Sequence, residues 1–150
     1  MRGWLLDTNV VAELAGRKCD PSVAAWAEAE PEECIFISVL TLAEYDKGVA
    51  MLPAEAPNRA RIEASVAALE ARFLARILPL SDNAVRRWGR ISGQVKIRTG
   101  RSPPVIDTLL AATAIENDLH LVTRNVRDVA ETGASVFNPW EDNPARFEIL

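Results

Sequence analysis

Three acidic residues of this chain stand in apolar stretches, where a charged side chain requires an explanation. Asp7 follows two leucines, Glu44 ends the run Thr41–Glu44, and Asp107 follows two prolines and two apolar residues. Each has a structural interpretation, because an acid near the start of a helix caps it or interacts favourably with its dipole. Thr41–Glu44 matches a capping box with Thr41 as the cap. Each also has a chemical interpretation, because side chains at the carboxyl ends of neighbouring strands share one site.

A fourth polar group lies at the end of the predicted strand Leu119–Thr123. Thr123 ends that strand and Asn125 and Asp128 follow it, so the strand would deliver them to the same edge of a sheet. A polar loop explains them equally well. The case for a site rests on all four regions occurring in one short chain.

Carboxylates that gather in one place repel one another unless a cation offsets their charge. Oxygen ligands without histidine or cysteine select a hard ion such as Mg²⁺ or Mn²⁺. Such an ion activates water and stabilises charge on a phosphate and its leaving oxygen. The acidic residues therefore point to phosphodiester hydrolysis before most other reactions.

The composition narrows the chemistry further. His120 is the only histidine, and Cys19 and Cys34 form no CxxC pair, which argues against a zinc site and against histidine acid–base catalysis. The 17 basic and 21 acidic residues give a net charge of −4, which excludes a uniformly basic surface but not a local basic patch. No leader sequence and no apolar stretch of membrane-spanning length is visible. We therefore expect a cytoplasmic protein with reduced thiols, although a disulfide stays open.

Short apolar runs alternate with longer segments of helical periodicity, which predicts an α/β domain with a parallel sheet covered on both faces. Strands are predicted at Trp4–Leu6, Cys34–Ser38, Leu119–Thr123 and Val136–Phe137. Helices are predicted at Asn9–Gly16, Pro21–Ala29, Thr41–Leu52, Arg59–Arg76, Ser81–Arg98 and Asp107–Asn117. Ile77–Pro79 is predicted to be an extended connector.

The ordered motifs resemble those of the PIN-domain nucleases, and more narrowly those of the VapC-type toxins of toxin–antitoxin systems. The motifs are Leu5–Val10, Leu42–Glu44, Ile106–Ala114 and Leu121–Asn125. Arg76–Pro79 and Val136–Trp140 are similar to the FitB-like branch. The resemblance implies a three-layer α/β/α sandwich with a central, mostly parallel sheet, formed by a single PIN domain over residues 1–150.

The resemblance also implies a Mg²⁺- or Mn²⁺-dependent endoribonuclease that acts as a toxin. Asp7, Glu44 and Asp107 fall on the family's acidic triad, with Asp7 and Asp107 as metal ligands. The fourth family position is often acidic, but this chain has Asn125 there, with Asp128 three residues further on. An amide oxygen ligates without charge, which puts a second metal in doubt. Thr123 would orient a metal-bound water or a carboxylate.

A basic segment would hold the RNA substrate. Residues 86–101 contain six basic residues and no acidic one, and we expect Arg86, Arg90 and Lys96 to contact the RNA backbone. An ordinary solvated helix face explains this charge run equally well. Trp26 and Trp88 are expected in the core rather than against bases, and Tyr45 beside the site.

Partners and alternatives follow from the same resemblance. Such toxins bind a cognate antitoxin and form homodimers, for which Pro21–Ala29 and Arg59–Arg76 offer apolar surface. One alternative is a phosphoacceptor regulatory domain, which also places acids and Mg²⁺ at strand ends, although here Asp7 has no adjacent acidic partner. The other is a PIN-like binding module without activity, against which the intact triad argues.

Overall fold

A five-stranded parallel sheet lies at the centre of the computed structural model, which describes residues 1–150. The strands are β1 (Trp4–Leu6), β2 (Ile35–Ser38), β3 (Ile77–Leu78), β4 (His120–Val122) and β5 (Val136–Phe137). Their order across the sheet is β3-β2-β1-β4-β5, and every neighbouring pair is parallel. The strand order reverses around β1, where open sheets of this kind bind their ligands at the carboxyl ends.

Seven helices accompany the sheet. They are α1 (Thr8–Ala15), α2 (Pro21–Ala29), α3 (Val39–Ala50), α4 (Arg59–Arg72), α5 (Asp82–Thr99), α6 (Val105–Glu116) and the single turn α7 (Val126–Val129). None of these helices has both the length and the apolar character that crossing a membrane requires.

The side chains of β1 explain the three layers, because successive residues of a strand point to opposite faces. Trp4 and Leu6 belong to one buried cluster, together with residues of α1 and α2 such as Val10 and Trp26. Leu5 belongs to a second cluster on the opposite face, built mainly by α6. The predicted α/β/α sandwich with a parallel sheet is therefore confirmed, and Trp26 lies in the core as expected.

Several local predictions are wrong. Ile77 and Leu78 form β3 rather than a connector, because they pair in parallel with the end of β2. The helix that starts at Arg59 ends at Arg72 instead of residue 76, and a 3₁₀ turn, Leu74–Arg76, follows it. The Arg76 guanidinium donates to the carbonyl oxygens of Glu32 and Ile35 at 2.8 and 2.6 Å, which holds this turn against the start of β2.

The helix α3 also starts earlier than predicted. The helix begins at Val39, and the Ser38 hydroxyl caps it by accepting from the Leu40 amide at 3.0 Å. Thr41 is therefore inside the helix and is not its cap, so the capping-box interpretation of Glu44 is wrong. A similar shift places Asp107 within the first turn of α6, which begins two residues earlier than predicted, at Val105.

The amino-terminal ends of β1 and β4 support an aromatic cluster. Trp4 contacts the rings of Trp26, His120 and Phe137 at centroid distances of 4.9 to 5.3 Å. His120 is buried, and its two ring nitrogens contact the Ser135 hydroxyl and the Glu148 carbonyl oxygen at 2.7 and 3.0 Å. The only histidine thus holds the carboxyl-terminal segment and takes no part in the acidic site.

Candidate active site

Asp7 stands at the carboxyl end of β1, and three donors fix its carboxylate. The Thr8 amide donates to Oδ1 at 2.6 Å, while the Thr123 hydroxyl and the Asn9 side-chain amide donate to Oδ2 at 2.7 and 3.2 Å. Asp7 is only 6% exposed. Burial raises the pKa of Asp7, and the hydrogen bonds from Thr123 and Thr8 oppose that rise. Asp7 is therefore the cap of α1 and also an oriented carboxylate.

Thr123 organises this edge of the sheet through a single hydroxyl. It donates to Asp7, and it accepts from the Asn9 side chain at 3.2 Å and from the Asn125 amide at 3.0 Å. One donor and two acceptor positions are all that a threonine hydroxyl has, so its hydrogen-bonding capacity is fully used. The structure thus gives Thr123 the carboxylate-orienting contact expected of it.

Glu44 reaches the same edge from α3. Its Oε1 accepts from the Thr8 hydroxyl at 2.7 Å, and the hydroxyls of Thr8 and Thr41 are 3.1 Å apart. Thr8 therefore connects the start of α1 to α3. Tyr45 follows Glu44 on α3, and burial together with the charge of Glu44 raises the pKa of its phenol.

Asp107 has no hydrogen-bond partner and no ion pair for its side chain. Its pKa rises from 3.8 to about 6, first because of burial and then because of the negative charges of Asp7, Asp128 and Glu44. The structure therefore brings the three predicted acids into one electrostatic environment and adds Asp128 to them.

Asn125 takes a different place in this arrangement. It is exposed, its backbone amide donates to Thr123, and its side chain makes no hydrogen bond. Asp128 lies in α7, a helical turn that the sequence did not predict, and its charge acts on Asp107. The role of Asn125 as a fourth ligand stays a prediction.

The four carboxylates suit a hard divalent cation in their donor type and charge. No lysine or arginine forms an ion pair with any of them, although ion pairs occur elsewhere, for example between Arg76 and Glu32. A group of acids without a cationic partner is the environment that a bound metal stabilises. No three acidic, histidine or cysteine side chains are already arranged as a ligand set.

The predicted RNA-binding residues lie on α5, and no hydrogen bond or ion pair connects them to the acids. Arg86 and Arg90 are exposed and unpaired, whereas the Lys96 ammonium donates to the Gly100 carbonyl oxygen at 2.8 Å. Arg87 and Arg98, from the same segment, form ion pairs with acids of α6 and of the residues after α7. The positive charge that remains free is therefore smaller than the sequence suggests.

Several polar residues near the acids were not among the predicted site residues. Thr8 and Asn9 hold the carboxylates, and a polar cleft of about 370 Å³ beside Asp128 is lined by Arg101 and Arg127. The uninterrupted polar sequence after Asp7 was the available signal for Thr8 and Asn9. No signal for the cleft exists in the sequence, because its walls come from α5, α7 and the loop between α5 and α6.

The chain is similar to known proteins along nearly its whole length. Residues 4–133 match the PIN domain family, and the chain belongs to that family. It is 32% identical over 140 residues to VapC ribonuclease Y4jK of Sinorhizobium fredii, which covers 91% of this chain and 97% of the relative. It is also 32% identical over 141 residues to toxin FitB of Neisseria gonorrhoeae, covering 92% and 99%.

A solved structure gives the same result. The crystal structure of FitAcB from Neisseria gonorrhoeae superimposes with a TM-score of 0.81 at 29% identity and covers 91% of this chain and 98% of the matched chain. The resemblance to VapC-type toxins and to their FitB-like branch is therefore confirmed. Membership of the PIN family excludes the phosphoacceptor regulatory domain.

Proposed function

We propose that this chain is a divalent-metal-dependent endoribonuclease and the toxin of a toxin–antitoxin pair. The observation that carries the proposal is the group of acids at β1, α3, α6 and α7 that has no cationic partner within the chain. Relatives that match nearly the whole chain are named as a VapC ribonuclease and as toxin FitB, which supports RNA as the substrate.

In this proposal Asp7 and Asp107 bind the metal, and Glu44 and Asn125 complete the catalytic set. Mg²⁺ or Mn²⁺, when bound, supplies an activated water and stabilises charge on the phosphate. Carboxylate and amide oxygens are the ligands that such ions prefer. Asp128 is the charged alternative to Asn125, because its carboxylate already acts on Asp107.

The chain's own residues prepare the site before any substrate arrives. The Thr8 amide, Thr123 and Asn9 fix Asp7 in one orientation, and the Thr8 hydroxyl restrains Glu44. Preorganised groups do not have to reorient during the reaction, which is the main way that electrostatic catalysis lowers a barrier. Asp107, like Asp128, accepts no hydrogen bond and forms no ion pair, so its oxygens have no other partner within the chain.

Arg86, Arg90 and Lys96 are proposed to attract the RNA backbone. Arg86 and Arg90 have no acidic partner, which supports this role. Lys96 contributes charge while its ammonium donates to the end of α5. Contacts with phosphate supply affinity without sequence information, so we expect these residues to set the strength of RNA binding rather than the cleavage site.

We further propose that a cognate antitoxin covers an apolar groove of about 500 Å³ between α1, α2 and α4. Its lining includes Leu14, Ala24, Leu69 and Phe73. One solved structure, 25% identical to this chain, is named as a toxin–antitoxin complex from Klebsiella pneumoniae, and another, 29% identical, as FitAB bound to a DNA fragment, which supports a protein partner. A homodimer, a single PIN domain over residues 1–150 and a cytoplasmic location belong to the same proposal.

The decisive experiment incubates the purified chain with a pool of cellular RNAs in Mg²⁺, in Mn²⁺ or in EDTA, and maps the cut sites. Asp107→Asn should abolish cutting. Asp46→Asn is the control and should not, because Asp46 is an exposed aspartate on α3 outside the group of acids. A wild-type protein that binds RNA without cutting it would instead establish a binding module. Co-purification of the chain with the product of a neighbouring open reading frame tests for the antitoxin. Ala24→Arg should weaken this binding, because the arginine side chain would fill the groove.

A further inference from the structure

Arg124 is a cationic residue beside the acidic site that pairs with none of the acids. It follows Thr123 in the loop between β4 and α7, and its side chain is exposed. Its guanidinium carbon lies over the ring of Trp140, 4.9 Å from the ring centroid. No carboxylate oxygen lies within ion-pair distance of it. The contact that positions the Arg124 side chain is therefore with an indole and not with an acid.

The backbone of Arg124 belongs to the hydrogen-bond network of Asp7. Its amide donates to the Asn9 side-chain oxygen at 3.3 Å, and the next amide, of Asn125, donates to the Thr123 hydroxyl at 3.0 Å. Asn9 and Thr123 both donate to the Asp7 carboxylate. The backbone of Arg124 therefore has a fixed position relative to Asp7.

Trp140 is an equally well-anchored support. Its amide donates to the Asn138 side-chain oxygen at 3.0 Å, and the Asn138 amide donates to Asp142 Oδ2 at 2.8 Å. Asn138 and Pro139 are buried, and the Trp140 ring packs against the cluster that contains Trp4. The turn after β5 thus holds the indole in place beneath Arg124.

This arrangement favours a phosphate over a nucleobase as the ligand. A cation held over an aromatic face is bound through that face, so N–H groups that point away from the ring stay free. The guanidinium donors match the oxygens of a phosphate, and arginine is weakly hydrated enough to stack and bind at once. The same stacking covers the indole face that a base would need. An RNA strand is a polyanion and is repelled by the four carboxylates. A cation that those carboxylates have not neutralised therefore attracts it most strongly.

We propose that Arg124, oriented by Trp140, binds a backbone phosphate of single-stranded RNA on the β4–β5 side of the acidic site. The proposal rests on the ribonuclease function proposed above and adds a second contact to the basic face of α5. Arg124 is a substrate-binding residue and Trp140 is the residue that positions it.

The test measures RNA binding and RNA cutting separately, in the full-length chain. Binding of a fluorescently labelled single-stranded RNA of mixed sequence is followed by anisotropy over a range of salt concentrations, in the Asp107→Asn background so that the probe stays intact. Cleavage kinetics use the otherwise wild-type chain in Mn²⁺. The variants are Arg124→Gln, Arg124→Lys and Trp140→Phe. Arg61→Gln is the matched control, because Arg61 is exposed on α4 and has no acidic partner.

Arg124→Gln should weaken RNA binding about tenfold at low salt, as expected for the loss of a charge-assisted hydrogen bond. It should also reduce the slope of log K against log salt by about 0.7, the value for one phosphate of a single strand. Arg124→Lys should keep that slope but bind RNA less tightly, because it keeps the charge without the paired donors. Trp140→Phe should raise KM with little change in kcat, because a weaker aromatic support loosens Arg124 without touching the acids.

Two results would overturn the proposal and remain distinguishable. If the wild-type chain cuts RNA but Arg124→Gln retains its affinity and its salt slope, or if Arg61→Gln lowers both equally, Arg124 does not bind phosphate. If the wild-type chain neither binds nor cuts RNA, the ribonuclease function fails and this proposal fails with it. Melting temperatures of all variants show whether a loss reflects unfolding, and the Arg124 substitutions, being at the surface, should leave them almost unchanged.

Discussion

Replacing Asp107 by asparagine tests most directly whether the acids form a metal site. Asp7 is less suitable, because its two oxygens accept from three donors, and an asparagine there would turn an amide N–H₂ group towards one of them. Asp107 has no such donor, so asparagine removes its negative charge and leaves no hydrogen bond broken. We therefore expect Asp107→Asn to stabilise the chain without metal and to abolish RNA cutting with it.

The size of the stabilisation follows from the pKa of Asp107, which rises from 3.8 to about 6. A difference of about two pKa units corresponds to about 3 kcal/mol against the ionised form at neutral pH. The side chain is partly exposed and solvent screens its interactions, so we expect about 1–2 kcal/mol. Since 1 kcal/mol changes the melting temperature of a chain of this size by roughly 2–4 °C, the increase should be roughly 2–8 °C.

The dependence on pH has a definite sign. A carboxyl whose folded-state pKa is raised destabilises the fold when it is ionised, so the penalty is fully present above pH 6 and disappears as the pH falls towards 3.8. The advantage of Asp107→Asn over the wild type should therefore be present in neutral solution and absent in acid.

Thermal melts of the wild type, Asp107→Asn and the control Asp46→Asn decide the question, each in EDTA and in Mn²⁺. An ion that binds only the folded form stabilises it more as the ion concentration rises above the dissociation constant, so the Mn²⁺ shift should be large in the wild type and the control and small in Asp107→Asn, which binds the ion more weakly. Cutting by Asp107→Asn should fall by at least about 100-fold. Equal Mn²⁺ shifts in all three proteins would show that Asp107 does not bind the ion. An Asp107→Asn melting temperature in EDTA no higher than that of the wild type would show that Asp107 does not share the charge of the other acids.

Three further expectations concern other parts of the chain. Thr123→Val should lower the free energy of unfolding by about 1–3 kcal/mol and slow RNA cutting, because it leaves buried partners of the hydroxyl unsatisfied. Denaturant unfolding and cleavage assays check this against Thr113→Val, whose hydroxyl bonds only within α6, and the same behaviour in both variants would contradict it. Replacing Arg86, Arg90 and Lys96 by glutamine should reduce the salt slope of RNA binding by up to about 0.7 for each phosphate that these side chains neutralise; an unchanged slope would make them a solvated face. Burial lowers the pKa of His120 below 6.5, so its contribution to stability is present above that pH and lost as the pH falls below it. In urea unfolding, the free energy of unfolding should therefore fall less between about pH 7.5 and 5.5 in His120→Gln than in the wild type.

The layers of the fold were predictable because their signals are local. Trp4–Leu6 and the helix from Pro21 follow from apolar runs, a helix cap and a first-turn proline, and the structure has both as predicted. β3 was missed because two residues are too short for a pattern, and only pairing with β2 makes them a strand. The early end of α4 was missed for a similar reason, since the hydrogen bonds of Arg76 with residues 32 and 35 depend on the tertiary structure.

The site was predictable in its acids and not in its supports. Asp7, Glu44 and Asp107 are visible in the sequence because a carboxylate in an apolar stretch is unusual. Their electrostatic proximity is a property of the folded chain, and so is the effect of Asp128, which requires the unpredicted turn α7. Arg124 was invisible as a site residue because its partner Trp140 lies 16 residues away, across β5.

The register of two strands determines how this edge of the sheet is assembled. Leu6 pairs with Val122 in parallel, and the Asp7 amide donates to the Val122 carbonyl oxygen at 2.9 Å, which continues that pairing by one residue. Asp7 and Thr123 are therefore opposite each other, on the same side of the sheet, at hydrogen-bonding distance. A shift of one residue would bring Arg124 or Val122 opposite Asp7, and would turn the apolar residues of β4 to the wrong layers. The burial of Leu6 and Val122 thus fixes the geometry of the acid that follows, so substitutions that loosen these two core residues should impair the site before they unfold the chain.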